Sequence, residues 1–248
     1  MLRDTSALTG RLMKQIVRSP DTIITVAITP IAIFLLFRYV FGGAIETGGA
    51  NYTNYLLPGI LLITIASSVA YTALRIFNDT SKGIMARFST MPIARSAVLW
   101  SHVLTSLVSN AVTAVLIVGI AFAMGFRPEA SPLDWLAALG VLALFTLALT
   151  WMSVIPGLTA TTMEGAGAFS YPLIFLPFLS SAFAPTESMP GPVRWFAENQ
   201  PVTSVVETLR ALFEGQPVGD DIWIALAWIV GIGSVCYVLA LRTYRKRV

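Results

Sequence analysis

Residues 47–74 read TGGANYTNYLLPGILLITIASSVAYTAL, and no Asp, Glu, Lys or Arg interrupts them from Thr47 to Leu74. A run of that length exceeds the roughly 20 apolar residues a helix needs to cross a bilayer core. Four more uncharged runs follow, over 96–126, 135–163, 165–186 and 222–241. Helices of that composition inside a soluble protein would need amphipathic neighbours to cover them, and almost none remain in a chain of this length. The composition agrees: 56% of the residues are hydrophobic and only 12% charged, against about 25% charged in soluble domains. The fold class is therefore an all-α integral membrane protein.

The spacing of the runs predicts six spans, at about 22–42, 53–75, 98–124, 133–154, 166–183 and 222–242. An even number of crossings places both termini on one side. Arg3, Arg11, Lys14 and Arg18 precede the first span; Arg75, Lys82, Arg87 and Arg95 flank the second and third; Arg242, Arg245, Lys246 and Arg247 close the chain. Short loops rich in Lys and Arg stay on the cytoplasmic side. The opposite loops fit the same orientation, because Arg127 stands by itself and Arg194 and Arg210 lie among Glu187, Glu198, Glu207, Glu214, Asp220 and Asp221. Arg38, near the outer end of the first span, can snorkel to the interface.

The domain plan is an N-terminal amphipathic interfacial helix over 1–20 and a six-span domain over 21–248. Leu8, Leu12 and Ile16 share one helical stripe, with Arg11, Lys14 and Arg18 away from it, the pattern of a helix lying on a leaflet. Residues 1–21 carry six charges and no continuous apolar core, so no cleavable signal peptide is expected. The loop 76–97 is too polar to cross and long enough for a short helix. In 184–221, Pro185, Pro190 and Pro192 precede two apolar pieces, 193–197 and 202–213, divided by Pro201. Both are too short to span and read as a re-entrant helical hairpin on the outer side.

Several chemistries find no support in the residues. There is no GxxxxGK[ST] phosphate loop, so ATP would have to be bound by another subunit. His102 has no cluster of metal-ligating residues around it in sequence, no GxSxG elbow is present, and the span centres carry none of the ionisable residues a proton-coupled transporter uses. Glu164 reads as a helix-start carboxylate, Asn51-Tyr52-Thr53 as a chance glycosylation triplet, and Cys236 as a small buried side chain.

Three groups of residues carry a resemblance to a known family. Tyr39-Val40-Phe41-Gly42-Gly43 is followed by Tyr55-Leu56-Leu57-Pro58-Gly59-Ile60; then come Asp79, Gly83, Arg87-Phe88, Met91-Pro92 and Arg95; and after the fifth span come Pro190, Gln200-Pro201-Val202-Thr203, Glu207-Thr208-Leu209-Arg210 and Gly215. In order and spacing these resemble the ABC type-2 transporter permeases, especially the daunorubicin-resistance type of actinobacteria. The chain departs from the common pattern with Gln200 in place of Asn before Pro201, and with Ser101-His102 where a Gly-Arg or Gly-His pair is usual.

The resemblance implies a bacterial cytoplasmic-membrane permease subunit without an ATPase site of its own. It would pair with a second permease chain, identical or not, and rest on separate ABC ATPase subunits that bind ATP and Mg. It would move a drug, an antibiotic or a lipid outward; nucleic acid is not an expected partner, whereas membrane lipids are. Asp79, Gly83, Arg87, Phe88, Met91, Pro92 and Arg95 would form the coupling element. Thr64, Ser68 and Tyr71 on the second span, with Tyr171, Phe175 and Phe178 on the fifth, would line the path. Pro190, Pro201, Thr203, Glu207 and Arg210 would shape the outer hairpin, and Pro172 and Pro177 would bend the fifth span. An ion-coupled secondary transporter and an intramembrane enzyme are the alternatives.

Overall fold

The structure is a computed structural model describing residues 2–17, 20–42, 52–89 and 95–247, with side chains over 4–16, 28–42, 52–85, 87–88 and 96–246. Among these residues the secondary structure is helical, without strands. In chain order the α-helices are α1 (Leu2–Val17), α2 (Pro20–Leu36), α3 (Tyr52–Ser81), α4 (Ile84–Ser89), α5 (Arg95–Ala123), α6 (Pro132–Thr159), α7 (Met163–Ala168), α8 (Ser170–Phe175), α9 (Gly191–Asn199), α10 (Pro201–Phe213) and α11 (Asp221–Arg247). A π-helical turn, Phe37–Phe41, continues α2, and a 3-10 turn, Leu176–Leu179, continues α8. Among the described residues four helices are long and apolar enough to cross a bilayer: α3, α5 from Ser96, α6 and α11 to Lys246.

Helix α3 is the axis of the bundle. Its Leu56, Leu57, Ile60, Leu61, Ile63 and Val69 are buried, and α2, α5, α6, α7, α8 and α10 all pack on it. Helices α5 and α11 lie outside, presenting Val112 and Val115, and Trp223, Val230 and Val235, outward. Exposed apolar side chains on long helices with internally satisfied backbones suit a lipid surround.

Local sequence explains where the elements begin and end. The expected second span closes at residue 75, but α3 runs on to Ser81. The polar residues there do not break the helix, because the Thr80 and Ser81 hydroxyls donate back to the carbonyls of Ile76 (2.8 Å) and Phe77 (2.6 Å). The break comes at Gly83, whose φ of 68° is readily available only without a Cβ. The expected loop 76–97 is therefore a helix end, a turn, the short helix α4 and the start of α5. Helix α6 opens on a capping box in which Ser131 and Asp134 exchange side-chain and backbone bonds, with Pro132 in the first turn.

The fifth span departs from expectation. In place of one helix over 166–183, the chain forms α7, α8 and a 3-10 turn, followed by irregular backbone. Pro172 and Pro177 each remove a backbone donor, so the bend expected from them is an interruption.

Candidate coupling and passage sites

Helix α1 and the C-terminal part of α11 reach the same end of the bundle. There a cluster unites Ile76 of α3, Met85 of α4, Val98 and Leu99 of α5, Leu158 of α6 and Tyr244 of α11, with Leu8 of α1 and Phe88 of α4 packed against it. Above this cluster Asp79 is buried, 7% exposed. Its Oδ1 lies 3.5 Å from the Arg11 guanidinium of α1, and its Oδ2 lies 3.5 Å from Nε2 of the buried His102 on α5. Asp79 thus joins α1, α3 and α5 internally and is not presented to a partner. Arg11 also sits over the Phe88 ring, 5.5 Å from its centroid, tying α1 to α4.

The coupling residues therefore divide. Gly83 sets the turn, Met85 and Phe88 hold α4 down, and Lys82 and Arg87 are exposed. Met91 and Pro92 lie outside the described residues, as does the side chain of Arg95.

A second charged site occupies the opposite end. Arg210 of α10 is buried over the Tyr55 ring of α3, 3.8 Å from its centroid. It donates to the Ser181 carbonyl (2.8 Å) and to Glu207 Oε1 (2.6 Å), and the Tyr55 hydroxyl donates to the same Ser181 carbonyl (2.8 Å). One carbonyl thus receives donors from two helices, fixing the strand of irregular backbone after the fifth-span turn. Gly59 makes this possible, since a Cβ there would stand 2.6 Å from the Ala182 Cβ. At the same end Asn54 exchanges two bonds with the Arg127 backbone, at 3.0 and 3.1 Å, and the Arg127 guanidinium caps the Phe122 and Phe126 carbonyls.

The hairpin pieces form α9 and α10, joined at Gln200. Pro190 precedes the first turn of α9, its carbonyl accepting from Arg194 N at 2.9 Å, and Pro201 opens α10. Gln200 accepts from Val202 N, and its Nε2 donates to the Leu176 and Leu179 carbonyls (3.3 and 3.2 Å). Those carbonyls belong to the 3-10 turn that follows α8, so the side chain at 200 stitches the hairpin to the fifth segment. Thr203 donates to the Ala197 carbonyl across the α9–α10 corner.

The path residues are not brought to one surface. Thr64 and Ser68 are buried, and the Thr64 hydroxyl is spent on the Ile60 carbonyl (2.7 Å). Tyr71 is half-buried. Tyr171 and Phe175 stand 64% and 62% exposed, while Phe178 stacks on Phe183 at 4.9 Å.

A family model described as "ABC-2 type transporter" matches residues 3–213 of this chain. The chain belongs to that family. It is 27% identical over 241 residues to a daunorubicin resistance ABC transporter permease protein of Streptomyces coeruleorubidus, covering 96% of this chain and 84% of that one. It is 26% identical over 240 residues to a probable doxorubicin resistance ABC transporter permease protein of Mycobacterium tuberculosis, covering 96% and 87%. A putative transport permease of Porphyra purpurea is 27% identical over 220 residues, covering 86% and 75%. This permease is accordingly a multi-pass membrane protein.

Sequence reading missed two features of the permease. His102 matters as a partner of Asp79, which their separation in the chain conceals. Asn110, midway along α5, is 3% exposed and bonded to Ser106; a polar residue in the middle of an uncharged run was the signal that could have singled it out.

Proposed function

We propose that this permease is the membrane-spanning subunit of an ATP-driven exporter in a bacterial cytoplasmic membrane, moving a hydrophobic or amphiphilic drug, antibiotic or lipid outward. Two permease chains pair, and separate ABC ATPase subunits bind ATP and Mg. Six spans are completed by α2 with its π-helical turn and by the broken α7–α8 segment, and both termini are cytoplasmic. The names of the relatives, given for daunorubicin and doxorubicin resistance, favour a drug-like cargo.

The observation that carries this reading is α4. Its apolar side is pinned to the bundle by Met85 and Phe88, while Arg87 and the preceding Lys82 are exposed at the end where α1 and the last turns of α11 meet. Such a helix can take a push without detaching. Asp79 acts behind it by holding α1 against α3 and α5. Tyr171 and Phe175 present an aromatic face to cargo or to the second chain.

The test is reconstitution with a candidate ABC ATPase. ATP turnover should rise in the presence of the permease, and a fluorescent amphiphile should move only with ATP. Arg87→Glu reverses the charge on the exposed side of α4 and should lower ATPase association about tenfold while leaving membrane insertion intact. Transport that follows an ion gradient and ignores ATP would instead identify a secondary transporter, and product formation in detergent by the permease by itself would identify an enzyme.

A further inference from the structure

Between residues 107–118 of α5 and 135–146 of α6 the two helices part to leave a groove of about 480 Å³, within the 300–1,000 Å³ range of small-molecule sites. Leu61 and Ile65 of α3 and Phe213 of α10 form its floor, and Ala114, Leu142 and Trp135 are among the residues of its walls. Val115 and Leu139, also in its lining, are exposed on the outer face of the bundle. The groove therefore opens sideways, toward lipid. No Asp, Glu, Lys, Arg or His lines it.

One amide interrupts this apolar surface. Asn110 lines the wall, its Oδ1 buried beneath the apolar surface, and a relay of hydroxyls holds its amide in place. Thr150 donates to the Thr146 carbonyl (2.7 Å), so its oxygen is left to accept from Ser106 (3.1 Å), and Ser106 in turn accepts from Asn110 Nδ2 (3.3 Å). The same Nδ2 donates to the Ser106 carbonyl (2.9 Å). Both amide hydrogens are committed, and Asn110 Oδ1 meets no donor among the described residues. Successive bonds of this kind polarise one another and strengthen the terminal acceptor. A buried acceptor without a partner costs free energy that an incoming donor recovers.

We propose that the α5–α6 groove is a binding site for a neutral, drug-sized apolar molecule carrying one hydrogen-bond donor, an O–H or N–H, which it presents to Asn110 Oδ1. An ion would find no counter-charge there. A phospholipid fits less well, because Asn110 lies midway along α5, level with acyl chains that carry no donor. That such a molecule is export cargo rests on the exporter reading; that it binds here does not.

The test uses the full-length permease in lipid nanodiscs and two probes of nearly equal shape, 9-anthracenemethanol and 9-methylanthracene, only the first of which has a donor. Binding is read as energy transfer from Trp135, taken as the signal lost in Trp135→Phe, with probe concentrations expressed as mole fraction in the membrane. The alcohol should half-saturate the wild-type groove at about one tenth of the concentration the hydrocarbon requires. Asn110→Leu should abolish that preference and leave hydrocarbon binding unchanged, and Ala114→Leu, which fills the groove, should weaken both probes.

Equal half-saturation in the wild-type chain, which needs no substitution to measure, overturns the proposal, as does a preference that survives Asn110→Leu. A phospholipid retained by the wild type in native mass spectrometry and lost in Ala114→Leu would assign the groove to bilayer lipid instead. If the alcohol binds as expected but is not moved with ATP, the site stands and the exporter reading fails.

Discussion

The two ends of the bundle each bury a charge that joins three segments, yet they are built to different tolerances. At the Arg210 end two of the three polar contacts are short, 2.6 and 2.8 Å, and the guanidinium is also stacked on Tyr55. At the Asp79 end the two contacts are 3.5 Å each, Arg11 is 40% exposed, and Asp79 Oδ2 has no hydrogen bond among the described residues. A planar guanidinium held by two short acceptors, a third at 3.5 Å on the Tyr55 carbonyl and an aromatic face keeps close to one geometry; a long ion pair to a half-exposed side chain holds several. The stiff corner lies where the broken fifth segment meets the hairpin, and the loose one lies beneath α4. That is the arrangement expected if force enters at the terminal end and the opposite end must keep its shape until the helices move together.

Breaking the stiff corner should have the largest effect. Arg210→Met removes three charge-assisted bonds and the ring contact, and should lower stability by about 2–3 kcal/mol, read as a fall in the thermal unfolding midpoint in detergent. Arg210→Lys should recover less than half of that loss, because an ammonium cannot reproduce the fork. If Arg210→Met costs less than substitutions at Asp79, the two ends do not differ as described.

At the terminal end, Gly83→Ala forces a Cβ into a left-handed turn and should cost about 1–2 kcal/mol by the same midpoint, with α4 displaced from its seat. Asp79→Asn should cost only about 1 kcal/mol, its effect confined to α1, whose amides should exchange hydrogen about fivefold faster while those of α10 keep their protection. Arg11→Gln should be the mildest, at about 0.5 kcal/mol, since a half-exposed ion pair is screened by water. Equal acceleration of α1 and α10 by Asp79→Asn would show the two ends to be mechanically one unit.

Much of the bundle was legible because hydropathy reports directly on burial in lipid. The runs over 47–74, 96–126, 135–163 and 222–241 correspond to α3, α5, α6 and α11. The run over 165–186 was equally apolar but carries Pro172 and Pro177, and composition does not distinguish a kinked helix from an interrupted one. Likewise the polarity of 76–81 suggested a loop, whereas hydroxyls returned to the preceding turn let α3 continue to Ser81. The candidate site was legible in part: Gly83 and Pro201 mark a turn and a helix start, for which backbone chemistry is local. The roles of Asp79, Arg210 and Gln200 depend on segments far away in the chain.

Sequence by itself determined that this permease is an all-α membrane protein and where most of its long helices lie, because span length and charge distribution are properties of contiguous residues. Only the tertiary structure decided that Asp79 turns inward to Arg11 and His102, that Thr64 and Ser68 are sealed within the bundle while Tyr171 and Phe175 face out, and that α5 and α6 part beside Asn110. Those outcomes depend on which helix faces meet, and a helix repeating every 3.6 residues can present the same sequence to several neighbours until packing chooses one.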